Sequence, residues 1–429
     1  MQFSPNPSLS SSSRSSSSKR EIASTTNTGP LLYNDNEPCP SSAPPTGLFD
    51  AETGAELKRH PDLWFPDGSV ICRAENLLFR VHMYQLARRS VCFKDMFAVP
   101  QPRSPHKAGK AKAMENLNCV QSPDASDELL HDITDCPTLC LQDGADDVAN
   151  LFAALYDGPK FGNNDHDDFR VVSGILRLST KYIIESLRAQ ALAHLSIAWP
   201  DTLKVWDARE DLARAYEMET GAHLYPSPLA VISLAREVDA PSLLPSAFYD
   251  LSRYSFSQIF EPSEDEPLYH PQSSTYPPTL SNQDIQRLSL GKEASQQAIT
   301  TLIQAMGQSQ YFRHPMHLAT AQMHSRSKSA GLSSSPGICV SAAACRKDFS
   351  ELVDLATQHY LFDREKGCSD PLYVAEELGQ LKSAEFSECK ACARSLENWA
   401  ARERERIWKM VPTWFRLEPV DAGGCSTIG

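Results

Sequence analysis

Four cysteines in the C-terminal part of the chain have the residue type of a metal site. Cys389 and Cys392 form a Cys-x-x-Cys pair that opens a predicted helix. Cys339 and Cys345 lie upstream, with a five-residue gap between them. The Cys-x-x-Cys spacing lets both sulfurs reach one ion, so four thiolates could hold a tetrahedral zinc. Reduced thiols that bind nothing and a Cys389–Cys392 redox pair are the two alternatives, and the sequence leaves all three open.

Histidines and one aspartate are the other side chains with potential for chemistry. His314, His317 and His324 lie in a stretch rich in Ser, Gly and Pro, which favours solvated side chains over metal ligands. His82 follows an apolar run and has no Cys or acidic residue at ligand spacing, which favours a structural hydrogen bond. Asp67 precedes Gly68, where its carboxylate can accept from turn amides or face a partner.

Sequence signatures of common enzymes are missing from the chain. The patterns GxSxG, GxxxxGK[ST], GxGxxG and HExxH do not occur. We therefore predict a protein that is not an enzyme and has no cofactor other than a possible structural zinc.

Composition narrows the classes of partner and the cellular compartment. Of the 429 residues, 41 are basic and 54 acidic, and the net charge of −13 disfavours direct binding to nucleic acid. No apolar run has the length of a membrane span, and the N-terminus lacks the apolar stretch of a secretory signal. The twelve cysteines are scattered along the chain. We predict an intracellular protein of the nucleus or cytoplasm with no membrane partner.

Ser- and Pro-rich stretches divide the chain, because such segments bury too little apolar surface to offset the entropy of ordering. Between these stretches, apolar residues recur with the periods of strands and helices. The predicted divisions are a disordered arm at 1–52, a first domain at 59–199 with a disordered insert at about 100–135, a helical extension at 228–312 with a Pro-rich loop at about 261–280, a linker at 313–343, and a C-terminal helical unit at 344–417.

The first domain has a mixed pattern. Two β-rich runs separated by Ala74-Glu75-Asn76 predict a hairpin, and the later segments predict helices and a third strand. The predicted elements are strands at 69–73, 77–81 and 138–141, short helices over 86–97, a helix over 145–156, and a helix pair over 169–199 that is broken near 179–181. At the end of the chain we predict a helix from about Cys392 to Met410 that Pro412 terminates.

Two runs in the first domain resemble the two halves of a BTB/POZ domain. The first comprises Asp67-Gly68, Phe79-x-Val81-His82, Leu86, Ser90, Phe93 and Met96-Phe97. The second comprises Leu155-Tyr156-Asp157-Gly158, Leu176-x-Leu178-Ser179-x-Lys181-Tyr182, Leu187 and Ala191. Segments elsewhere are similar to the large group of fungal BTB proteins, namely Arg59-His60-Pro61-x-x-Trp64-Phe65, Ala87-Arg88-Arg89-Ser90 and Trp408 to Phe415.

The resemblance implies an α/β (α+β) BTB/POZ fold, with a small sheet flanked by helices, followed by an all-α extension. It implies a homodimer that recruits protein partners, either as a scaffold or transcription-linked adaptor, or as a substrate adaptor of a cullin-type ubiquitin ligase. A CxxC oxidoreductase is the weaker alternative. The candidate partner or dimer interface consists of Trp64, Phe65, Asp67, His82, Leu86, Met96 and Phe97.

The sequence departs from the family pattern at two places. Met83 follows His82, where family members often have Arg or Lys. The segment Phe97-Ala98-Val99-Pro100 lacks the Glu that cullin-binding members often carry after this helix. The first departure argues against corepressor-style binding in the dimer groove, and the second weakens the expectation of cullin binding.

Overall fold

The computed structural model describes residues 47–99, 106–121, 133, 136–263, 268, 278–312, 342–362, 369–380 and 389–417. All of them belong to the second of two units, which spans 43–429. The first unit, Met1–Ser42, lies outside the described residues, as do Cys339, His314, His317, His324 and residues 313–341 of the predicted linker at 313–343. The described chain is a mixed α/β protein with two small sheets and a majority of helix.

The strands form one four-stranded and one two-stranded sheet. In the larger sheet the order is β2-β4-β3-β6, where β3 and β4 are an antiparallel hairpin and the outer strands run parallel to their neighbours. This confirms the predicted hairpin and third strand. The small sheet pairs β1 with β5 in antiparallel fashion. The strands are β1 (Leu48–Asp50), β2 (Lys58–Trp64), β3 (Val70–Ala74), β4 (Leu77–Val81), β5 (Cys119–Gln121) and β6 (Thr138–Leu141).

Helices make up the rest of the regular structure. Those of the first domain are α1 (Met83–Arg89), α2 (Val91–Ala98), α3 (His106–Asn116), α4 (Ala145–Asp157), α5 (His166–Lys181) and α6 (Glu185–Ala198). Those that follow are α7 (Leu203–Thr220), α8 (Pro228–Glu237), α9 (Leu244–Ser252), α10 (Phe256–Phe260), α11 (Asn282–Phe312), α12 (Ala342–Thr357), α13 (Pro371–Gln380) and α14 (Lys390–Trp414), with a 3-10 turn at Pro241–Leu243 and a π turn at Gln358–Phe362.

Both faces of the β3–β4 hairpin are buried, against different partners. Because successive strand residues point to opposite faces, Cys72 and Phe79 pack in the core with helices α4 to α6. Ile71 and Leu78 lie on the other face, in a smaller core with Leu48 of β1. The hairpin is therefore the middle layer of the first domain.

The structure corrects the prediction of a disordered insert at about 100–135. Residues 106–121 of that insert form α3 and β5, and Ala113 and Leu117 of this segment are buried against the outer face of the hairpin. The predicted disordered arm at 1–52 also extends too far toward the first domain, because Leu48–Asp50 forms β1 and pairs with β5. The physical reason is the same for both segments: together they cover Ile71 and Leu78, which would otherwise face water.

Arg73 fastens this added layer to the sheet. Its guanidinium donates to the carbonyl oxygens of Leu117 and Asn118 and to the carboxylate of Asp50, and its Nε donates to the backbone carbonyl oxygen of Glu75 at 2.7 Å. The hydrogen bond from Arg73 holds the pKa of Asp50 well below its usual range. One buried side chain thereby contacts β1, the end of α3 and the hairpin turn.

The helical part contains three differences from the sequence prediction. Helix α7 lies in a segment for which the sequence predicted no element. Helix α11 is one continuous helix, whereas the apolar stripes of Leu280–Leu290 and Ala294–Met306 predict two segments. Helix α14 does not end at Pro412 but continues to Trp414. The fully buried Phe415 directly follows, so core packing at this end offsets the cost of a proline in the last turn.

We expect Gly291→Ala to destabilise the protein by about 2 kcal/mol through overpacking. A Cβ at Gly291 would lie 1.9 Å from Cε1 of Phe415, whose ring is buried and stacks on Phe248. Helix propensity alone predicts the opposite effect, a stabilisation of about 1 kcal/mol when alanine replaces glycine inside a helix. Urea unfolding measures the difference, with Gln286→Ala at an exposed position of α11 as control. A Gly291→Ala variant as stable as the control would contradict the close approach.

Candidate functional site

The end of β4 carries a hydrogen-bonded cluster of Asp67, His82 and Tyr156. The two ring nitrogens of His82 lie 3.2 Å from Oδ2 of Asp67 and 2.8 Å from the hydroxyl of Tyr156. The backbone N–H of His82 donates to the same hydroxyl at 2.8 Å. Phe65 stacks on Tyr156 with ring centroids 4.7 Å apart. The structure thus brings together three predicted interface residues and adds Tyr156, to which the sequence analysis assigned no role in the site.

The electrostatics of the cluster favour a structural role. The hydrogen bond from His82 lowers the pKa of Asp67, and burial raises the pKa of Tyr156. With a proton on Nε2 directed at Asp67, Nδ1 of His82 accepts from the Tyr156 hydroxyl. Both ring nitrogens are then engaged within the protein. The cluster fixes the turn before β3 and the last turn of α4 against the end of β4.

We expect His82→Ala to raise the pKa of Asp67 toward its ordinary value, as measured by carbon-13 NMR titration of the carboxyl groups. A folded-state pKa that is below the unfolded-state pKa contributes stability at neutral pH, which is lost as the pH falls through the folded-state pKa. Tyr156→Phe is the control, because it leaves the contact between His82 and Asp67 in place. An unchanged Asp67 pKa in His82→Ala would rule out this contact in solution.

The remaining predicted interface residues differ in accessibility. Trp64 is half-buried under the guanidinium of Arg59, 4.8 Å from its ring centroid. Met96 and Phe97 are half-buried against the core of the first domain. Leu86 is a correction: its side chain is fully buried inside the domain, so it has no surface to offer a partner. This follows from its position in α1, on the face that packs against the sheet and α4.

Large apolar side chains are nevertheless exposed on α1 and α2 and directly after them. Tyr84 is 73% exposed, Val91 55% and Val99 58%. None of the three was selected from the sequence, because periodicity identifies the buried face of a helix and says nothing about which outward apolar residues stay uncovered.

Three of the four predicted metal ligands meet in the structure. The sulfurs of Cys345, Cys389 and Cys392 all lie within 4.8 Å of one another, and all three residues are buried. Cys389 and Cys392 are at the start of α14, and Cys345 is on α12. The fourth predicted ligand, Cys339, lies outside the described residues. The arrangement offers three soft donors to one ion.

A buried ionic cluster in the helical part was missed by the sequence analysis. Arg209 of α7 donates to Oδ2 of Asp250 at 2.7 Å and to the carbonyl of Ala198 at 3.0 Å, and it contacts the carboxylate of Glu210. The guanidinium also lies over three aromatic rings at distances between 4.6 and 4.8 Å, a cation–π arrangement. These rings belong to Trp199, Trp206 and Tyr225.

Arg253 extends the cluster to the C-terminal helices. It lies 2.6 Å from Glu210, 3.1 Å from Asp250 and 3.3 Å from Asp370, which directly precedes α13. Burial opposes ionisation of Glu210, but Arg253 and Arg209 outweigh it and lower the pKa of Glu210. Tyr249 donates to Asp370 at 2.6 Å. Charges that neutralise each other therefore connect α7, α9 and α13.

A cavity of about 560 Å³ borders this cluster. Its charged lining has both signs, because Arg214 and Arg253 face it together with Glu217 and Asp370. The guanidinium and carboxylate groups of the cluster pair with one another. We assign the cavity no ligand.

Comparison with known proteins gives no match: no protein-family model, no curated protein and no solved structure matches the chain. Among the residues that the structure describes, no helix combines the length and apolar character needed to cross a membrane.

We expect Arg209→Leu to destabilise the protein by about 3 kcal/mol, because it removes one partner from a buried charge network. Asp250 keeps its ion pair with Arg253, so the expected loss of unfolding free energy is at the lower end of the range for removing one partner of a buried ion pair. Chemical denaturation measures the loss. The matched control is Arg214→Leu on the exposed side of α7, where loss of the Asp211 ion pair costs less than about 1 kcal/mol. Equal losses of unfolding free energy in Arg209→Leu and Arg214→Leu would show that the buried charge network adds nothing to stability.

Proposed function

We propose that residues 59–199 form a BTB/POZ-type interaction domain through which the chain dimerises and holds protein partners together. In this proposal the protein acts by binding and carries out no chemistry of its own. The observation that carries it is the packing of the two motif halves against each other. These halves are distant in the sequence.

Two contacts join the motif halves inside the domain. Ser90 caps the start of α2, where its hydroxyl accepts from the N–H of Phe93 and donates to the carbonyl of Tyr182, 92 residues later, at 2.5 Å. The rings of Phe93 and Tyr182 stack with centroids 4.5 Å apart. The contact of His82 with Tyr156 is a third link between the halves. The motif residues thus act as one packing unit, as expected of a fold-determining signature.

The arrangement of elements also supports the proposal. A small sheet lies against α4, α5 and α6, with α1 and α2 following the hairpin, in agreement with a small sheet flanked by helices. An all-α part follows from α7 onward. This agrees with the resemblance in general layout.

We place the dimer contact on the α1–α2 surface, defined here by Tyr84, Val91 and Val99. These side chains are exposed in the single chain, and burying them between two copies removes apolar area from water. A two-fold contact is self-complementary, so one surface serves both copies and fixes the spacing of whatever each copy binds. The half-buried Met96 and Phe97 belong to the same two-helix segment and extend the surface.

We expect the full chain to sediment as a dimer, at twice the chain mass of 47.5 kDa, in analytical ultracentrifugation over a range of concentrations. Tyr84→Glu combined with Val91→Glu introduces charge into the contact, and we expect it to shift the equilibrium to monomer. The control is Met218→Glu on α7, a residue that is 88% exposed and outside the proposed contact. A wild-type chain that stays monomeric at every concentration would refute the dimer.

A pulldown with the full chain as bait distinguishes a scaffold from a substrate adaptor of a cullin-type ubiquitin ligase. Enrichment of a cullin scaffold that the Tyr84/Val91 variant abolishes would favour the ligase adaptor over the scaffold. Self-association without a cullin would favour the scaffold. The absence of Glu from the segment after α2 makes the scaffold the expected result.

A further inference from the structure

We propose that Cys345, Cys389 and Cys392 bind one Zn²⁺ ion, which fastens α12 to the first turn of α14. This site lies in the C-terminal helical part and does not depend on the proposed dimerisation. Its evidence is the convergence of three buried sulfurs from two helices.

The start of α14 places two of the sulfurs together. Cys389 is the N-cap residue of the helix and Cys392 is at position N3, and these two positions face each other in the way that a capping box uses. A Cys-x-x-Cys pair at these positions can therefore bind one ion with both sulfurs.

Helix α12 supplies the third sulfur from a distant part of the sequence. Cys345, Phe349, Leu352 and Ala356 recur at helical spacing and are all buried, so Cys345 lies on the inward face of α12. This face belongs to the same core as Leu396 of α14. Because α12 and α14 both pack against α11 in this core, the third donor lies beside the Cys-x-x-Cys pair before any ion binds.

The sulfur separations suit zinc. With a Zn–S bond of about 2.3 Å and tetrahedral angles, two sulfurs on one zinc are about 3.8 Å apart. The three sulfurs already lie within 4.8 Å of one another. Small changes in the side-chain torsion angles of these cysteines bring the sulfurs to the separation that zinc requires. One coordination position is left over, which a water molecule or a further donor can fill.

Charge and burial favour a thiophilic cation at this position. The three residues are between 4% and 5% exposed, and thiolates of that burial require a counter-charge. A divalent ion supplies two positive charges, and the positive end of the α14 dipole faces the remaining negative charge. Thiolate donors select zinc over magnesium or calcium, which prefer oxygen. Binding releases protons from the thiols and forms three Zn–S bonds without oxidation or reduction.

The first test is the zinc content of the full chain, purified under reducing conditions and measured by inductively coupled plasma mass spectrometry. We expect about one zinc per chain in the wild type. The Cys345→Ser and Cys392→Ser variants should fall below a tenth of that value. The controls are Cys140→Ser, at a half-buried cysteine of β6, and Cys72→Ser, at a buried cysteine of β3 that has no part in the site. Both controls should retain the wild-type zinc content.

A second test keeps the proposal falsifiable if the serine variants fail to fold. Wild-type protein is stripped of metal with a chelator, reloaded with Co²⁺, and examined by absorption spectroscopy. We expect the near-ultraviolet band of thiolate-to-cobalt charge transfer together with the visible bands of tetrahedral Co²⁺, and we expect one equivalent of Zn²⁺ to remove both. We also expect the stripped protein to melt at a lower temperature than the zinc-loaded protein.

Three results would overturn the proposal. Wild-type protein that holds less than a tenth of an equivalent of zinc after reloading has no such site. A disulfide between Cys389 and Cys392 in the reduced preparation would show that the pair is a redox couple and not a pair of ligands. Zinc that persists in the Cys345→Ser and Cys392→Ser variants at the level of the Cys140→Ser control would place the ion elsewhere.

Discussion

The guanidinium of Arg209 determines how the helical part of the molecule is connected. It lies where α6 ends and α7 begins, and there it contacts the carbonyl of Ala198 and the carboxylate of Asp250 on α9. A guanidinium has five donors in one plane and two apolar faces, so it can satisfy oxygens at its edge while aromatic rings cover it. No neutral side chain could do both. Trp199, Trp206 and Tyr225 supply the rings, and removing the cation would leave Asp250 and Glu210 to share Arg253 as their counter-charge in a low-polarity environment.

The same physical arrangement occurs again in the first domain. Arg73 is buried at the outer face of the hairpin, where it donates to Leu117 and Asn118 carbonyls and to Asp50. In both places one arginine satisfies backbone carbonyls at the end of an element and pairs with a carboxylate from another element. Hydrophobic packing brings the elements together. The arginine then selects one position of the elements relative to each other, because in any other position buried carbonyl oxygens would lack a hydrogen-bond donor, which costs free energy.

The sequence predicts the elements whose apolar residues follow one period. The hairpin, the strand β6 and the helices α4, α5 and α6 were predicted because their buried positions repeat every two residues or every three to four. Helix α7 was missed because its buried face is Leu203, Trp206 and Arg209, and periodicity counts an arginine as polar. The insert was missed for a related reason: it contributes few apolar residues to the core, and its order depends on Arg73 in a distant strand.

The candidate sites show the same limit. The Cys389–Cys392 pair was visible because both residues lie in one helical turn, and Cys345 was proposed only as one of two upstream cysteines, together with Cys339. The convergence of the sulfurs depends on the packing of α12 against the same core as α14, which spacing does not encode. Tyr156 and Leu86 illustrate the two errors that follow. A side chain that joins a cluster from a distant helix is missed, and a side chain on the inward face of a predicted helix is mistaken for a surface residue.

The distribution of charge and apolar surface supports the proposal that the protein acts by binding. The buried arginines of the described residues contact carbonyls and carboxylates inside the protein, and His82 uses both ring nitrogens within its cluster. Groups that are engaged in this way hold the fold in place. The exposed side chains on α1, α2 and α7 include uncovered apolar residues such as Tyr84 and Met218. Apolar area that the single chain leaves in water gains free energy when a partner covers it.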